Sequence, residues 1–407
     1  MDPIRNPYAP GAGQRPPELA GRGAQLAAFD VVLERVAKGR PERSIVLTGL
    51  RGVGKTVLLN ALRSAAVRRG WGTGKLEARP DQGLRRPLSS ALHQAVRELG
   101  HRDEESVTHV LGVVRSFAER DSGAGAKLRD RWHPGIDAPS VRGRADSGDI
   151  EIDLVELFTD VGGLAADRGL GVAVFVDEMQ DLGPDDVSAL CAACHEISQS
   201  GLPVIVVGAG LPHLPAVLSA AKSYSERLFA YQRIDRLDRE NADLALRVPA
   251  EAEEAAYDEG ALDALYAATG GYPYFIQAYG KTVWDLAPRS PITADDVAVA
   301  APEAERELAV GFFGSRLERA TPGEREYLRA MADAAVALAE GGADLDAEWA
   351  MGGGSVPTAD VAAALGKKPQ SLSPARDALL KKGLIYSGER GRIAFTVPHF
   401  GKYLLNQ

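Results

Sequence analysis

Nowhere in the 407 residues do eighteen apolar side chains run together, so no membrane-spanning helix is expected. The opening, "MDPIRNPYAPGAGQRPPELAGR", has neither the apolar centre nor the cleavage site of a secretory signal, and the cytoplasm is the expected compartment. Cysteine is scarce: Cys191 and Cys194, in "CAACH", are the two in the chain. That string matches the covalent haem-attachment motif, which needs export, and a CxxC redox pair, which needs an exposed helix start of low pKa. The surrounding "DDVSALCAACHEISQS" instead puts Val187, Leu190, Cys194 and Ile197 on one helical face, the pattern of core packing. No repeat of 20–50 residues is visible, and the seven histidines are scattered, which argues against a metabolic enzyme with a second catalytic constellation.

Positive charge is also in deficit. The net charge of −9 argues against a nucleic-acid coat protein, but eight basic against three acidic side chains from Pro357 onward give a local +5, leaving −14 on the remainder. With 45% apolar and 25% charged residues, the chain has material for two or three packed units of ordinary composition.

What is present is a phosphate loop. In "RSIVLTGLRGVGKTVLLN", Gly49 through Thr56 fits G-x-x-x-x-G-K-[ST], preceded by an apolar strand, Ser44–Thr48, and followed by a helix from about Lys55 to Arg69. Gly49, Arg51, Gly52, Val53 and Gly54 supply backbone N–H groups around a β-phosphate, Lys55 reaches the β- and γ-oxygens, and the Thr56 hydroxyl ligates Mg²⁺. A plain glycine turn is the competing reading. "GVAVFVDEMQDL" supplies a second part: a buried strand delivering Asp177 and Glu178 at its C-terminal end. Asp177 would hold Mg²⁺ and Glu178 would orient and deprotonate the attacking water; the competing reading is a helix cap. A small-molecule kinase has no use for that glutamate. Catalysis requires Lys55, Asp177 and Glu178 to meet across neighbouring strand ends.

Further along, "LPVIVVGAG" is another buried strand, and its end offers no polar side chain to sense a γ-phosphate, leaving backbone N–H groups or Gln180. Arg227, before a final strand expected at Tyr231–Leu237, is a candidate arginine finger toward a neighbouring subunit, or a surface ion-pair arginine. Strands separated by helices predict an α/β fold, a P-loop parallel sheet with helices on both faces. After about Asp238 the strands stop. The expected division is an extended arm at 1–20, the P-loop domain at 21–238 with an exposed, flexible insertion near 121–150, a helical lid at 239–319, and a winged helix-turn-helix at 320–407.

The last of these rests on "TADVAAALGKKPQSLSPARDALLKKGLI", two short helices and a turn, followed by a hairpin around Gly388–Gly391. For DNA, Gln370, Ser371, Ser373 and Arg376 would face the major groove, and Lys367, Lys368, Arg390 and Arg392 would meet phosphate. Winged helices also serve as dimerisation or docking modules, so fold alone does not decide.

"GLRGVGKT", "FVDEMQDL", "SYSERLF" and "TGGYPYFIQ", in that order, resemble the AAA+-related STAND and archaeal-type ATPases, cousins of the origin-recognition initiators; the two ends of the chain look like a bacterial ATP-binding protein family within that group. The resemblance implies that Leu19, Gly21 and Arg22 wrap the adenine base, with Gly23 where a glutamate is usual. It also implies that Gly271 and Pro273 bring the lid to the nucleotide, whereas on residues alone "TGGYP" is a helix C-cap and restart. Initiators often carry a lid arginine that senses nucleotide; between Asn241 and Ala287 only Arg247 occurs. The expectation is an ATP-binding, slowly hydrolysing switch using ATP, ADP and Mg²⁺, whose nucleotide state controls homo-oligomerisation and double-stranded DNA binding. The alternatives are a STAND-type signalling or defence scaffold without DNA contact, and a DNA-loading or transposition-type ATPase regulator.

Overall fold

The computed structural model describes residues 1–11, 13–100, 104–120, 135–340, 354–387, 390–397 and 399–407. The expected tip of the insertion (121–134), the glycine-rich loop (341–353) and part of the hairpin turn (388–389) lie outside the described residues.

Five parallel strands form the central sheet in the order β2-β3-β4-β1-β5: β1 Ser44–Thr48, β2 Gly72–Glu77, β3 Val172–Asp177, β4 Val204–Gly210 and β5 Phe229–Arg233. Both faces are covered, which is why β1, β3 and β4 read as unbroken apolar runs. Ile45, Leu47, Phe175 and Val207 belong to one core, and Val46, Val174, Val176 and Val206 to the other. Around the sheet pack α1 (Gly23–Ala37), α2 (Lys55–Arg68), α3 (Arg85–Leu99), α4 (Glu105–Glu119), α5 (Ile150–Asp167) and α6 (Pro184–Gln199), then α7 (Leu214–Ala221) and α8 (Ser225–Leu228). Cys191 and Cys194 are buried free thiols on α6, and burial pushes them up to about 11 and about 12, so neither is a thiolate at neutral pH.

Two expectations are corrected here. The last strand is Phe229–Arg233, because Ser44↔Phe229 and Thr48↔Arg233 pairing ends where Ile234 N–H donates to the Thr48 carbonyl (2.7 Å). The described part of the insertion, 135–149, has no regular structure but is not simply exposed: Ile136, Ala138 and Ala145 are buried in the second core, and Ser116 Oγ donates to Val141 O (2.8 Å).

Residues Asp238 to Leu317 are helical: α9 (Arg239–Ala252), α10 (Glu259–Thr269), α11 (Pro273–Leu286), α12 (Ala294–Leu308), a π-turn at Ala309–Gly314 and α13 (Ser315–Leu317). The starts of α9, α10 and α12 are set by side-chain caps from Asp238, Asp258 and Thr293, and α11 starts at Pro273. The proline-rich N-terminal segment is fastened across this unit: Trp284 Nε1 donates to Asp2 O (2.8 Å), Asn6 Nδ2 to Asp285 Oδ1 (2.7 Å), and the buried Tyr8 hydroxyl to Leu246 O (2.6 Å). Tyr8 lies against Gly280, where an added Cβ would stand 3.0 Å from its ring.

The C-terminal unit opens with α14 (Pro322–Glu340) and contains a three-stranded antiparallel sheet, β6 (Ser355–Pro357), β8 (Arg392–Phe395) and β7 (Ile385–Tyr386), in the order β6-β8-β7. Short helices span Thr358–Ala364, Ser373–Lys381 and Phe400–Leu405. Aromatic rings tie this unit to the helical one: Phe313 stacks on Phe400 and Tyr403 at 6.0 and 5.2 Å. No helix among the described residues is long and apolar enough to cross a membrane.

Candidate functional site

At the C-terminal end of β1 the chain turns through Gly52 (φ 86°) and Gly54 (φ 89°), left-handed conformations that a side chain would strain, and enters α2 at Lys55. The first N–H groups of α2 are thereby aimed at the loop. Gly49 has a different reason to be glycine: an added Cβ would lie 2.1 Å from Ile234 O, inside the chain leaving β5. Lys55 is buried, and Nζ donates to the carbonyls of Gly49 (2.9 Å) and Leu50 (2.8 Å). Burial lowers its pKa to about 8, partly opposed by Glu178 and, more weakly, by Asp177.

Asp177 closes β3 and is buried; its Oδ1 accepts from Glu178 N (3.0 Å). β1 and β3 are not neighbours, contrary to the expectation from sequence: β4 lies between them. The end of β4 is small, and that smallness lets the two motifs share one side of the sheet. An added Cβ on Gly208 would strike Met179 Sδ at 2.4 Å, and one on Gly210 would strike Gln180 Oε1 at 2.6 Å. Glu178 sits in the left-handed region, φ 48° and ψ 40°. Its Oε1 pairs with Arg51 Nη1 (2.9 Å) and its Oε2 accepts from Gln180 Nε2 (2.7 Å). Gln180 Oε1 in turn accepts from Leu211 N (3.1 Å), just past β4.

A cavity of about 530 Å³ opens over this surface, within the range of small-molecule sites. Leu19, Arg22, Arg51, Gly52, Val53, Gly54, Lys55, Thr56, Asp177, Glu178 and Pro273 line it together. Gly21, Gly49, Gly271 and Arg227 are not among its lining residues. Gly271 (φ 76°) acts through the backbone: its carbonyl accepts from Leu237 N (2.8 Å), and a Cβ would stand 2.2 Å from Leu237 O. Arg22 Nη2 donates to Val53 O (3.2 Å) and Asp235 O (2.6 Å), so it braces the loop. Arg227 is exposed at the N-terminal end of β5, away from the strand ends that carry this chain's own pocket.

Several lining residues were not found from sequence. Arg316 reaches the pocket from the segment joining the helical and C-terminal units, outside the stretch in which a sensing arginine was sought. Its guanidinium lies 3.9 Å from the Phe312 ring centroid, and Phe312 stacks on Tyr274 at 4.6 Å. Burial, then the neighbouring Arg51, lowers the Arg316 pKa to about 10. Tyr274 N donates to Gly52 O (3.2 Å), joining α11 to the loop tip. Ala9, Pro10, Gln14 and Pro16 of the N-terminal segment form part of the opposite wall, and Ala9 N donates to Gln277 Oε1 (3.3 Å). No motif marks these positions; they come together through contacts spanning most of the chain.

The C-terminal unit rests directly on the loop, with Arg51 N donating to Thr396 O (3.0 Å). Of its candidate DNA-facing residues, Lys367, Lys368, Gln370, Ser371 and Arg390 are exposed, while Ser373 and Arg376 are half-buried. Arg392 departs from the expectation: its Nε donates to Ser355 Oγ (2.7 Å) and its Nη2 to Ser355 O, so its guanidinium bridges β8 to β6 instead of facing outward for phosphate. Lys367 lies 3.7 Å from Glu326, and Arg376 pairs with Asp377 at 3.3 Å.

Residues 18–207 match the family described as AAA ATPase domain, and residues 310–404 match the family described as Domain of unknown function (DUF8462). No curated protein matches the chain. Among solved structures, the Walker-type ATPase PABY2304 of Pyrococcus abyssi is 15% identical, over 96% of this chain and 97% of that one, with a TM-score of 0.54. The RuvB Holliday junction branch migration motor of Thermotoga maritima is 16% identical over 94% and 96%, with a TM-score of 0.45, and Cdc6p from Pyrobaculum aerophilum is 15% identical over 100% and 97%, also at 0.45. The first of these gives the fold of a P-loop ATPase, and the family match over 18–207 supports an ATPase-type nucleotide-binding function.

Proposed function

We propose that the chain is an ATP-binding, slowly hydrolysing switch whose nucleotide state controls self-association and DNA binding. The observation that carries this reading is the direct seating of the C-terminal unit on the phosphate loop, through Arg51 N and Thr396 O (3.0 Å), beside a cavity lined by Lys55, Thr56, Asp177 and Glu178. Whatever binds in that cavity is felt by the C-terminal unit. Triphosphate would lie against the loop N–H groups and Lys55, with Leu19, the N-terminal segment and Gln277 around the base. Thr56 and Asp177 offer a hydroxyl and a carboxylate to one cavity, the hard oxygen donors that suit Mg²⁺ beside phosphate. Bound there, Mg²⁺ would neutralise charge on the β- and γ-phosphates. Glu178 would orient the attacking water and take its proton. Arg316, next to Arg51 at the loop tip, would contact the γ-phosphate, and Arg227 would act toward a neighbouring copy.

The C-terminal helices and antiparallel sheet support reading this unit as a winged helix. Gln370, Ser371, Ser373 and Arg376 would face DNA bases, and Lys367, Lys368 and Arg390 its phosphates. The same docking also favours a second reading, a scaffold in which the C-terminal unit only senses nucleotide and ATP licenses self-association without DNA.

Turnover of ATP with and without duplex DNA, on wild type and Glu178→Gln, tests the proposal. The substitution is expected to slow turnover about a hundredfold or more while ATP stays bound and assembly strengthens. Faster turnover in Glu178→Gln contradicts the role of that residue, and salt-insensitive assembly without DNA binding favours the scaffold.

A further inference from the structure

Resting on the reading of the pocket as an ATPase site, we propose that Arg51 is a positioning residue that clamps Glu178 in a resting orientation, and that the C-terminal sheet keeps Arg51 in place. Six residues form one connected line. Gly383 and Thr396 of the C-terminal unit meet Arg51; Arg51 Nη1 holds Glu178 Oε1 (2.9 Å); Gln180 Nε2 holds Glu178 Oε2 (2.7 Å); and Gln180 Oε1 accepts from Leu211 N at the end of β4 (3.1 Å). An added Cβ on Gly383 would stand 2.8 Å from Arg51 Nη2, so the guanidinium approaches that glycine closely through this nitrogen.

Arg51 departs from the expectation for this loop: its backbone N–H is taken by Thr396 O (3.0 Å) rather than left for a phosphate. Its charged end turns across the pocket to the carboxylate that the reaction needs. Both Glu178 oxygens accept from protein donors, one of them charged, so the protein sets the carboxylate's orientation in place of a water at the γ-phosphate. The backbone at Glu178 is held at φ 48°, unfavourable for a residue with a Cβ, by its N–H on Asp177 Oδ1 (3.0 Å) and its carbonyl accepting from Asp181 N (2.8 Å), and the two side-chain tethers add to that hold. Hydrolysis then begins with a transfer of partners: the γ-phosphate draws the Arg51 guanidinium, a Glu178 oxygen is released to receive a proton from water, and the hydroxide formed attacks phosphorus as the bond to the ADP oxygen breaks. Because Arg51 also lies on Gly383, the C-terminal sheet registers that transfer.

The test uses the full chain, measuring kcat and KM for Mg-ATP separately for wild type, Arg51→Ala, Arg51→Lys and Gln180→Leu. Arg51→Ala is expected to raise kcat at least about fivefold while raising KM, Gln180→Leu to raise kcat by less, and Arg51→Lys, which keeps a cation but loses the guanidinium fork, to raise kcat less than Arg51→Ala does. An unchanged or lower kcat in Arg51→Ala, or Arg51→Lys as fast as Arg51→Ala, overturns the proposal. Hydrogen exchange over residues 383–397 should differ between ATP and ADP in wild type and not in Arg51→Ala; an equal difference in both overturns the link to the C-terminal sheet. Nucleotide retained by each sample is measured alongside. No bound nucleotide in any of them refutes the ATPase reading itself, whereas bound nucleotide without acceleration refutes only the clamp.

Discussion

The protein handles positive charge in two opposite ways. In the pocket, Lys55 and Arg22 are buried and already bonded to backbone carbonyls, and Arg316 is packed on an aromatic ring. In the turn that follows the C-terminal helix Thr358–Ala364, Lys367 and Lys368 stand in solvent. The first arrangement has met the cost of removing charge from water during folding, so an anion placed there meets desolvated cations and competes with the carbonyls that hold them. The second stays in water, with Lys367 near Glu326 (3.7 Å), and would attract a polyanion through charge density in a salt-dependent way. One region suits a particular small ligand and the other an extended one.

That contrast can be broken at three points. Removing the buried ammonium in Lys55→Ala should weaken ATP binding about a hundredfold, read by fluorescent-nucleotide titration, since a desolvated charge pair is lost. The same group gives a pH signature. In the free protein burial holds its pKa at about 8, and a triphosphate would raise it, so binding above about pH 8 must take up a proton. Wild-type affinity should be flat below that pH and fall about tenfold per unit above it, and Lys55→Ala should lack the fall. Next, Arg316→Ala should cost about tenfold in ATP affinity and little in ADP affinity, because the guanidinium lies beside Arg51 at the loop tip; equal losses for both nucleotides would move it away from the γ-phosphate. The smallest effect belongs to the exposed region. Lys368→Ala should reduce the slope of log DNA affinity against log salt by about one and weaken binding only a few-fold, while leaving ATP binding unchanged.

The pocket's core was legible because its requirements are local. A phosphate loop needs glycines at fixed intervals between a strand and a helix, and β1 runs over the expected Ser44–Thr48. Asp177 and Glu178 stand at the end of an apolar run of the kind expected of a doubly covered strand. What escaped was non-local. That β4 separates β1 from β3 is a matter of sheet order, which hydrophobic pattern does not encode. Arg316 belongs to the pocket only because the helical unit folds back over the loop, and its surroundings, "FFGSR", carry no motif. The first residues read as an extended arm because prolines exclude a helix, but nothing local told where it lies; Asn6 with Asp285 and Tyr8 with Leu246 show that distant partners place it. The +5 of the C-terminal stretch overstated its free charge, since Arg392 is bound to Ser355 and Lys382 to Glu324 (2.6 Å).

The fastening of that first segment has a kinetic meaning. It grips α9 and α11 near Tyr8, forms one wall of the cavity from Ala9 to Leu19, and ends where Arg22 braces the loop. Such a belt leaves the cavity partly open yet fixes one of its walls, so how long a nucleotide stays would depend on Tyr8 and Asn6 holding as well as on the contacts the nucleotide itself makes.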